Sequence, residues 1–328
     1  LKAMTASRLA SFRNLHRGES CVLVCNGPSL NVMDLSFLKD RTVIGLNKIH
    51  LGLKRFGFQP RYLVAVNPRV VEQGSAQIAA LPAIKFIGAR AAEHLGEAED
   101  IFHFPILYPP VMFSEDLCEG VREGGTVTHA ALQIAHYMGF AEVAIIGMDH
   151  RFVFVGAPHE AHRLEGPDPN HFSPEYFSGQ VWDNPDLARS DDSYAVARAM
   201  FAASGRRIVD ATLGGGCTVF EKVYYRDYFG LPYGREERLH DLLVKLSFRA
   251  AGARNAAERD KAEARSITAR AKAIKAAESR VTRLVGKFAE DPARDKAPRK
   301  TAPGRSRGQG RGSRKATAAA KTSVRVRG

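Results

Sequence analysis

The sequence predicts a Rossmann-like α/β fold, a doubly wound and mostly parallel sheet, and three observations carry that reading. Short apolar runs alternate with helical patterns from Cys21 to about Phe104, as repeated βαβ units require. Polar residues recur just past several of these runs: Asn26 after Val22–Cys25, Asn47 after Thr42–Leu46, Asn67 after Tyr62–Val66, and Asp149-His150 after Val143–Met148. Open α/β sheets bind ligands at those carboxyl ends. Finally, Val22-Leu23-Val24-Cys25-Asn26-Gly27-Pro28-Ser29-Leu30 reads as a strand, a tight turn and a helix start. Gly27 supplies backbone freedom, Pro28 suits a first helical turn, and Ser29 sets a hydroxyl beside free N–H groups, a ready anion site.

In chain order, residues 1–19 read as a helical lead-in and 20–230 as the nucleotide-binding domain. Val32, Leu35, Phe37 and Leu38 predict a helix after Ser29. Pro68 starts another after the third strand, residues 105–123 form a less regular connection, and Gly124-Gly125-Thr126 opens a helix closed by Gly139. The stretch of about 150–191 lacks periodicity but is rich in Pro, Asn, His and aromatics, including Phe172, Tyr176, Phe177 and Trp182. A long irregular insert of that composition predicts a lid packing onto ligand. A helix over 193–204, a strand over 207–212 and a mobile glycine turn at 214–216 follow. Residues 231–290, rich in Ala, Arg, Lys and Glu, read as a helical extension, and 291–328 as a disordered basic tail.

The net charge of +13 is concentrated in that tail, where twelve Lys or Arg face two Asp, leaving about +3 elsewhere. The tail can meet an anionic membrane, an acidic polysaccharide or nucleic acid through charge alone. It lacks interleaved aromatics, which argues against base stacking. Four scattered cysteines, no hydrophobic leader and no run of ~18–20 apolar residues point to the cytoplasm, with peripheral contact at the inner membrane face through the tail. A homo-oligomer is compatible with these features.

Cys25-Asn26-Gly27-Pro28-Ser29-Leu30, the Asn47 strand end, Val66-Asn67-Pro68 with Glu72-Gln73 behind it, and Gly125-Thr126 leading to Ile146-Gly147-Met148-Asp149 occur in one order. That order resembles the bacterial family 42 sialyltransferases. It also resembles their relatives, the motility accessory factors and the 6-hydroxymethylpterin diphosphokinase (MptE)-like Rossmann proteins, over roughly residues 20 to 225. Asp168-Pro169-Asn170-His171-Phe172 with Tyr176-Phe177 sets the chain apart from the proven sialyltransferases. Those enzymes place tyrosines after the Gly-x-Asp strand, where this chain has His150-Arg151-Phe152-Val153-Phe154.

The resemblance implies an inverting, metal-independent transfer of sialic acid or a related nonulosonic acid from a CMP-sugar to a surface glycan or glycoprotein, with no tightly bound cofactor. Asn26, Gly27, Pro28, Ser29, Asn47, Asn67 and Thr126 would hold the donor nucleotide and sugar, joined by Asp149, His150 and Arg151 near the phosphate. His171 is the expected general base, since its ordinary pKa lies near working pH. The rival is ATP-dependent diphosphoryl transfer, with magnesium beside Asp149. No Walker loop is present, so ordinary P-loop chemistry is not expected. His159-x-x-His162 would ligate a transition metal only if helical. A third reading is a non-catalytic scaffold whose working part is the tail.

Overall fold

The computed structural model describes residues 8–110 and 112–232, all within one compact unit, Leu1–Ala264. The helical extension and the basic tail lie outside the described residues, as does the second unit, Arg265–Gly328.

Eight strands form one parallel sheet: β1 (Ser20–Val24), β2 (Val43–Leu46), β3 (Tyr62–Ala65), β4 (Ile84–Gly88), β5 (Ile101–Phe104), β8 (Glu142–Ile146), β11 (Arg207–Asp210) and β12 (Glu221–Lys222). Their order is β12-β11-β8-β1-β2-β3-β4-β5. Every neighbouring pair is parallel. The winding reverses between β1 and β8, so the chain departs to opposite sides of the sheet there and leaves a crevice at the strand ends. Two small pairs complete the set: β6 (Ile106–Leu107) with β7 (Val121–Arg122), and β9 (Ala161–Arg163) antiparallel to β10 (Val181–Asp183).

The sheet is apolar on both faces because both are covered. Leu23, Ile44, Tyr62, Val64 and Ile145 pack on one side with the helix Val127–Tyr137, while Val22, Val43, Leu63, Ala65 and Ile146 pack on the other. The period-two alternation of a strand sorts them. Lys85 in β4 and Asp210 in β11 are fully buried polar exceptions, and Lys85 is paired to Asp100.

Several predicted elements differ. The helix expected after Ser29 is two 3-10 segments, Pro28–Val32 and Ser36–Asp40. Buried Leu30, Met33, Phe37 and Leu38 keep helical spacing, but the chain turns extended at Met33 (φ −97°, ψ 144°), which divides the stretch, and Leu35, off that face, is buried too. The lid is not structureless, since it carries the β9–β10 pair. Its end comes earlier than expected: the following helix runs Leu187–Ala203, because the Asp186 side chain caps it by accepting from Arg189 N at 3.0 Å. The connection 105–123 holds β6 and β7. The helix after Gly124-Gly125 is as predicted, Val127–Tyr137, with Thr126 at its N-cap.

One buried polar chain anchors β8. Asp210, fully buried, pairs with Lys222 and accepts from Thr212 N at 2.8 Å, and Thr212 Oγ1 accepts from Met148 N at 3.0 Å. Lys222→Met strands the Asp210 charge and is expected to cost about 3–5 kcal/mol in a urea melt, whereas a conservative Lys222→Arg should cost less.

Candidate active site

A cleft of about 490 Å³ lies over the carboxyl ends of β1, β2, β3 and β8. Asn26, Gly27, Asn47, Asn67, Thr126, Asp149, His150, Arg151 and His171 all line it; Pro28 and Ser29, predicted with them, do not.

The turn after β1 is held from across the crevice. Gly27 N donates to Gly147 O at 2.8 Å, Ser29 N to Asp149 Oδ1 at 3.1 Å, and Ser29 Oγ to Asp149 Oδ2 at 2.7 Å. The anion at this turn is therefore the protein's own Asp149. Burial pushes its carboxyl pKa up, and the Ser29 bonds oppose the shift. Gly27 has an ordinary extended backbone (φ −72°), so conformational freedom is not why glycine stands there. A Cβ would lie 1.8 Å from Asp149 Oδ2 and 2.6 Å from Gly147 O, so the approach of β8's loop requires it.

Each asparagine is half used. Asn26 Nδ2 donates to Leu46 O at 3.1 Å, leaving its buried Oδ1 without a hydrogen-bond partner. Asn47, in the left-handed region at φ 47°, also has a buried Oδ1 with none. Asn67 Oδ1 caps the helix Pro68–Gln73 by accepting from Arg69 N at 3.0 Å. Unmet buried acceptors are costly, and a ligand's donor groups would relieve them. Thr126 Oγ1 accepts from Thr128 N and lies 3.2 Å from Tyr194 Oη.

The lid forms the opposite wall. Phe172 N donates to Asn26 O at 2.9 Å and Asn31 Nδ2 to Phe172 O at 3.0 Å, tying the lid to the β1 turn. Arg69 pairs with Asp183 at 2.6 Å. Phe172, Tyr176, Phe177 and Trp182 are buried, and Trp182 Nε1 donates to His162 Nε2 at 2.8 Å. His159 lies before β9 and His162 within it, so the helical spacing a metal pair would need is not formed. His159 Nε2 instead sits 3.3 Å from Asp186.

His171 Nδ1 lies 2.9 Å from Asp168 Oδ2, and its ring stacks on Tyr176 with centroids 3.9 Å apart and planes 6° apart. Asp168 Oδ1 accepts from Asn170 N at 2.7 Å. His171 Nε2 makes no hydrogen bond among the described residues. On the β8 side, His150 (φ 50°) brings Nε2 within 2.9 Å of Asp191 Oδ1 without hydrogen-bond alignment. Lys48 is not among the residues singled out from the sequence, and Asp168 appears there only within its motif, without a site role. The Asp-x-x-His spacing is a legible signal; nothing local marks Lys48.

Lys48 sits under the lid, with His50 two residues further on. Burial holds the Lys48 amine down to about 8, with Asp168 opposing, and holds His50 down to about 4, with Lys48 adding to the effect.

The fold and this crevice define a Rossmann-like protein with a cleft at the switch point. Residues 1–153 match the family model of 6-hydroxymethylpterin diphosphokinase MptE-like proteins, so the superfamily likeness of the motifs is shown over that stretch. No curated protein matches the chain. A MAf glycosyltransferase of known structure from Magnetospirillum magneticum AMB-1 is similar at 15% identity and a TM-score of 0.40. The match covers 76% of this chain and spans 42% of that one. Among the described residues no helix is long and apolar enough to cross a membrane.

Gly27→Ala is expected to expel the Asp149 carboxylate from the turn, costing about 2–4 kcal/mol in denaturant melts; an unchanged midpoint would contradict this geometry. His50, and buried His129 and His136, all have lowered pKa values, mainly through burial. Neutral in the fold and protonated when unfolded, they contribute stability that is present above the ordinary histidine value of 6.5 and lost as pH falls below it, for His50 down to about 4. The urea midpoint should fall across that window, and His50→Gln should shrink the fall.

Proposed function

We propose that the cleft is the active centre of a nucleotide-dependent transferase, moving a sialic or related nonulosonic acid from a CMP-sugar onto a hydroxyl of a surface glycan or glycoprotein. The observation that carries the reading is His171, with Nδ1 held by buried Asp168 and Nε2 unpartnered at the cleft. In the step proposed, Nε2 takes the proton of the acceptor hydroxyl as its oxygen bonds to the anomeric carbon. The bond from that carbon to the phosphate oxygen breaks, and its electron pair leaves with CMP, inverting the centre. Asp168 keeps the proton on Nδ1, which leaves Nε2 the acceptor.

Charge supports a donor with one phosphodiester. Arg69, Arg90 and Arg189 on the cleft walls face Asp183, Glu123 and Asp186, while Arg151 has no ion pair among the described residues. A triphosphate would bring several charges to a crevice already holding buried Asp149, and would need a divalent cation to balance them. Asn26 and Asn47 Oδ1 offer acceptors for sugar or base donors, and Asn67 Nδ2 a donor. The metal-independent mechanism, absence of a tight cofactor, and glycan or glycoprotein partner belong to this proposal.

A second reading, pterin diphosphokinase-like transfer, is favoured by the family description matching residues 1–153. It needs the same deprotonation of a hydroxyl, so His171 serves both. Calorimetry with CMP, a CMP-sugar, and ATP with and without magnesium separates them. Metal-free CMP binding, weakened by Arg151→Ala, is the expected result, with His171→Ala cutting kcat by ~10²–10⁴. Magnesium-dependent ATP binding without a CMP response moves the assignment to the kinase, and silence with every ligand favours a scaffold.

A further inference from the structure

Lys48 follows Asn47 directly at the end of β2 and turns inward beneath the lid, only 3% exposed. Its Nζ donates to Gln73 Oε1 at 2.8 Å, to Tyr176 O at 2.9 Å and to Gln180 Oε1 at 2.6 Å. All three ammonium protons are thereby used, and none meets a carboxylate. The ammonium also lies 4.5 Å from the Phe177 ring centroid. An ion desolvated among neutral acceptors is a poor source of net stability, because its lost hydration is only partly returned. What the arrangement does supply is geometry: two acceptors come from the lid and one from the helix Pro68–Gln73.

The lid acceptors bear on His171. Tyr176 is tethered twice to the residue after the β2 turn, through Lys48 Nζ to its carbonyl and Lys48 N to its hydroxyl at 3.3 Å. The Tyr176 ring is the face on which the His171 imidazole lies flat. His171 is thus fixed along one edge by Asp168 and across one face by Tyr176. The edge contact sets which nitrogen carries the proton; the face contact sets the plane in which Nε2 points.

We infer that Lys48 is a positioning residue that fixes the plane of the His171 imidazole by tethering Tyr176 to the end of β2. The catalytic consequence rests on the transferase reading; the placement of the ring does not. Gln73 strengthens the hub from behind, since its Nε2 donates to Val181 O at 2.8 Å. Lys48 is thereby joined to the lid at Tyr176 and Gln180 and, through Gln73, at Val181.

The test uses the full chain with ¹³C-labelled histidine rings, His171 being assigned by its loss in His171→Gln. In the wild type the Tyr176 ring current moves the His171 ring signals upfield, and Tyr176→Leu removes that shift. Lys48→Met is expected to collapse the shift as well, and Lys48→Arg, which retains donors and charge, to restore part of it. If Lys48→Met fails to fold, Gln180→Met removes a single lid acceptor and is expected to move the signal part of the way. An unmoved His171 signal in a folded Lys48→Met or Gln180→Met protein overturns the inference. Where turnover is measurable, kcat should fall about 10- to 100-fold with KM little changed. A wild type inactive with every donor overturns the transferase reading alone, because the ring-current result still decides the role of Lys48.

Discussion

The contact between Asp149 and the Ser29 turn is the constraint on which the crevice depends. Where the winding of a parallel sheet reverses, adjacent strands send their chains apart, exposing N–H groups after one strand and a loop after the other. Here the two resolve each other: Ser29 gives its N–H and hydroxyl to a carboxylate from the loop after β8. The carboxylate is shielded enough to have a raised pKa, so its bonds to Ser29 are what make its burial tolerable. Gly27 follows from this contact, because any side chain there would occupy the place of Asp149. With the turn's amide already engaged, the polar atoms left without partners at these strand ends are on asparagine side chains, Asn26 and Asn47 Oδ1.

Those strand ends also position the lid. Asn26 O receives Phe172 N, and Lys48 N meets the Tyr176 hydroxyl, so the segment carrying His171 is bonded to residues that themselves end β1 and β2. Placement of the imidazole is inherited from a buried parallel sheet. Such a sheet deforms little, which is why a group on an irregular segment can hold a defined geometry. The aromatic cluster of Phe172, Tyr176, Phe177 and Trp182 supplies the apolar burial, and the Lys48 bonds supply the direction.

The parts legible in the sequence are those whose causes are local. Parallel strands buried on both faces must be apolar throughout, so Cys21–Val24 and Val143–Ile146 announce themselves, and polar residues just beyond them mark the ligand end. Thr126 and Asn67 signal helix starts by chemistry that operates within two residues. Other features have distant causes. Leu30 to Leu38 mimics a helix, yet the chain turns extended at Met33, and Leu35 is buried off the helical face. The reason for Gly27 lies at Asp149, far along the chain, and the three-residue strands β9 and β10 are too short to show a period. Lys48 looks like any surface lysine until the lid folds over it.

Three histidines line the cleft beside a carboxylate, and burial of the partner separates them. Asp186, beside His159, is 18% exposed, but that histidine is itself 51% exposed, so solvent screens the pair. Asp191, beside His150, is 46% exposed, so solvent reaches its carboxylate, although the Oδ1 facing His150 is buried without a hydrogen-bond partner. Asp168 is 1% exposed and His171 13%. Water cannot relieve Asp168, and its two oxygens rely on Asn170 N and His171 Nδ1. Turning the imidazole over would leave one oxygen of a buried carboxylate facing a lone pair or a carbon, a penalty of about 1–3 kcal/mol or more for a charged group. The orientation of His171 is enforced by what its partner would lose, and that enforcement fixes the direction in which Nε2 points.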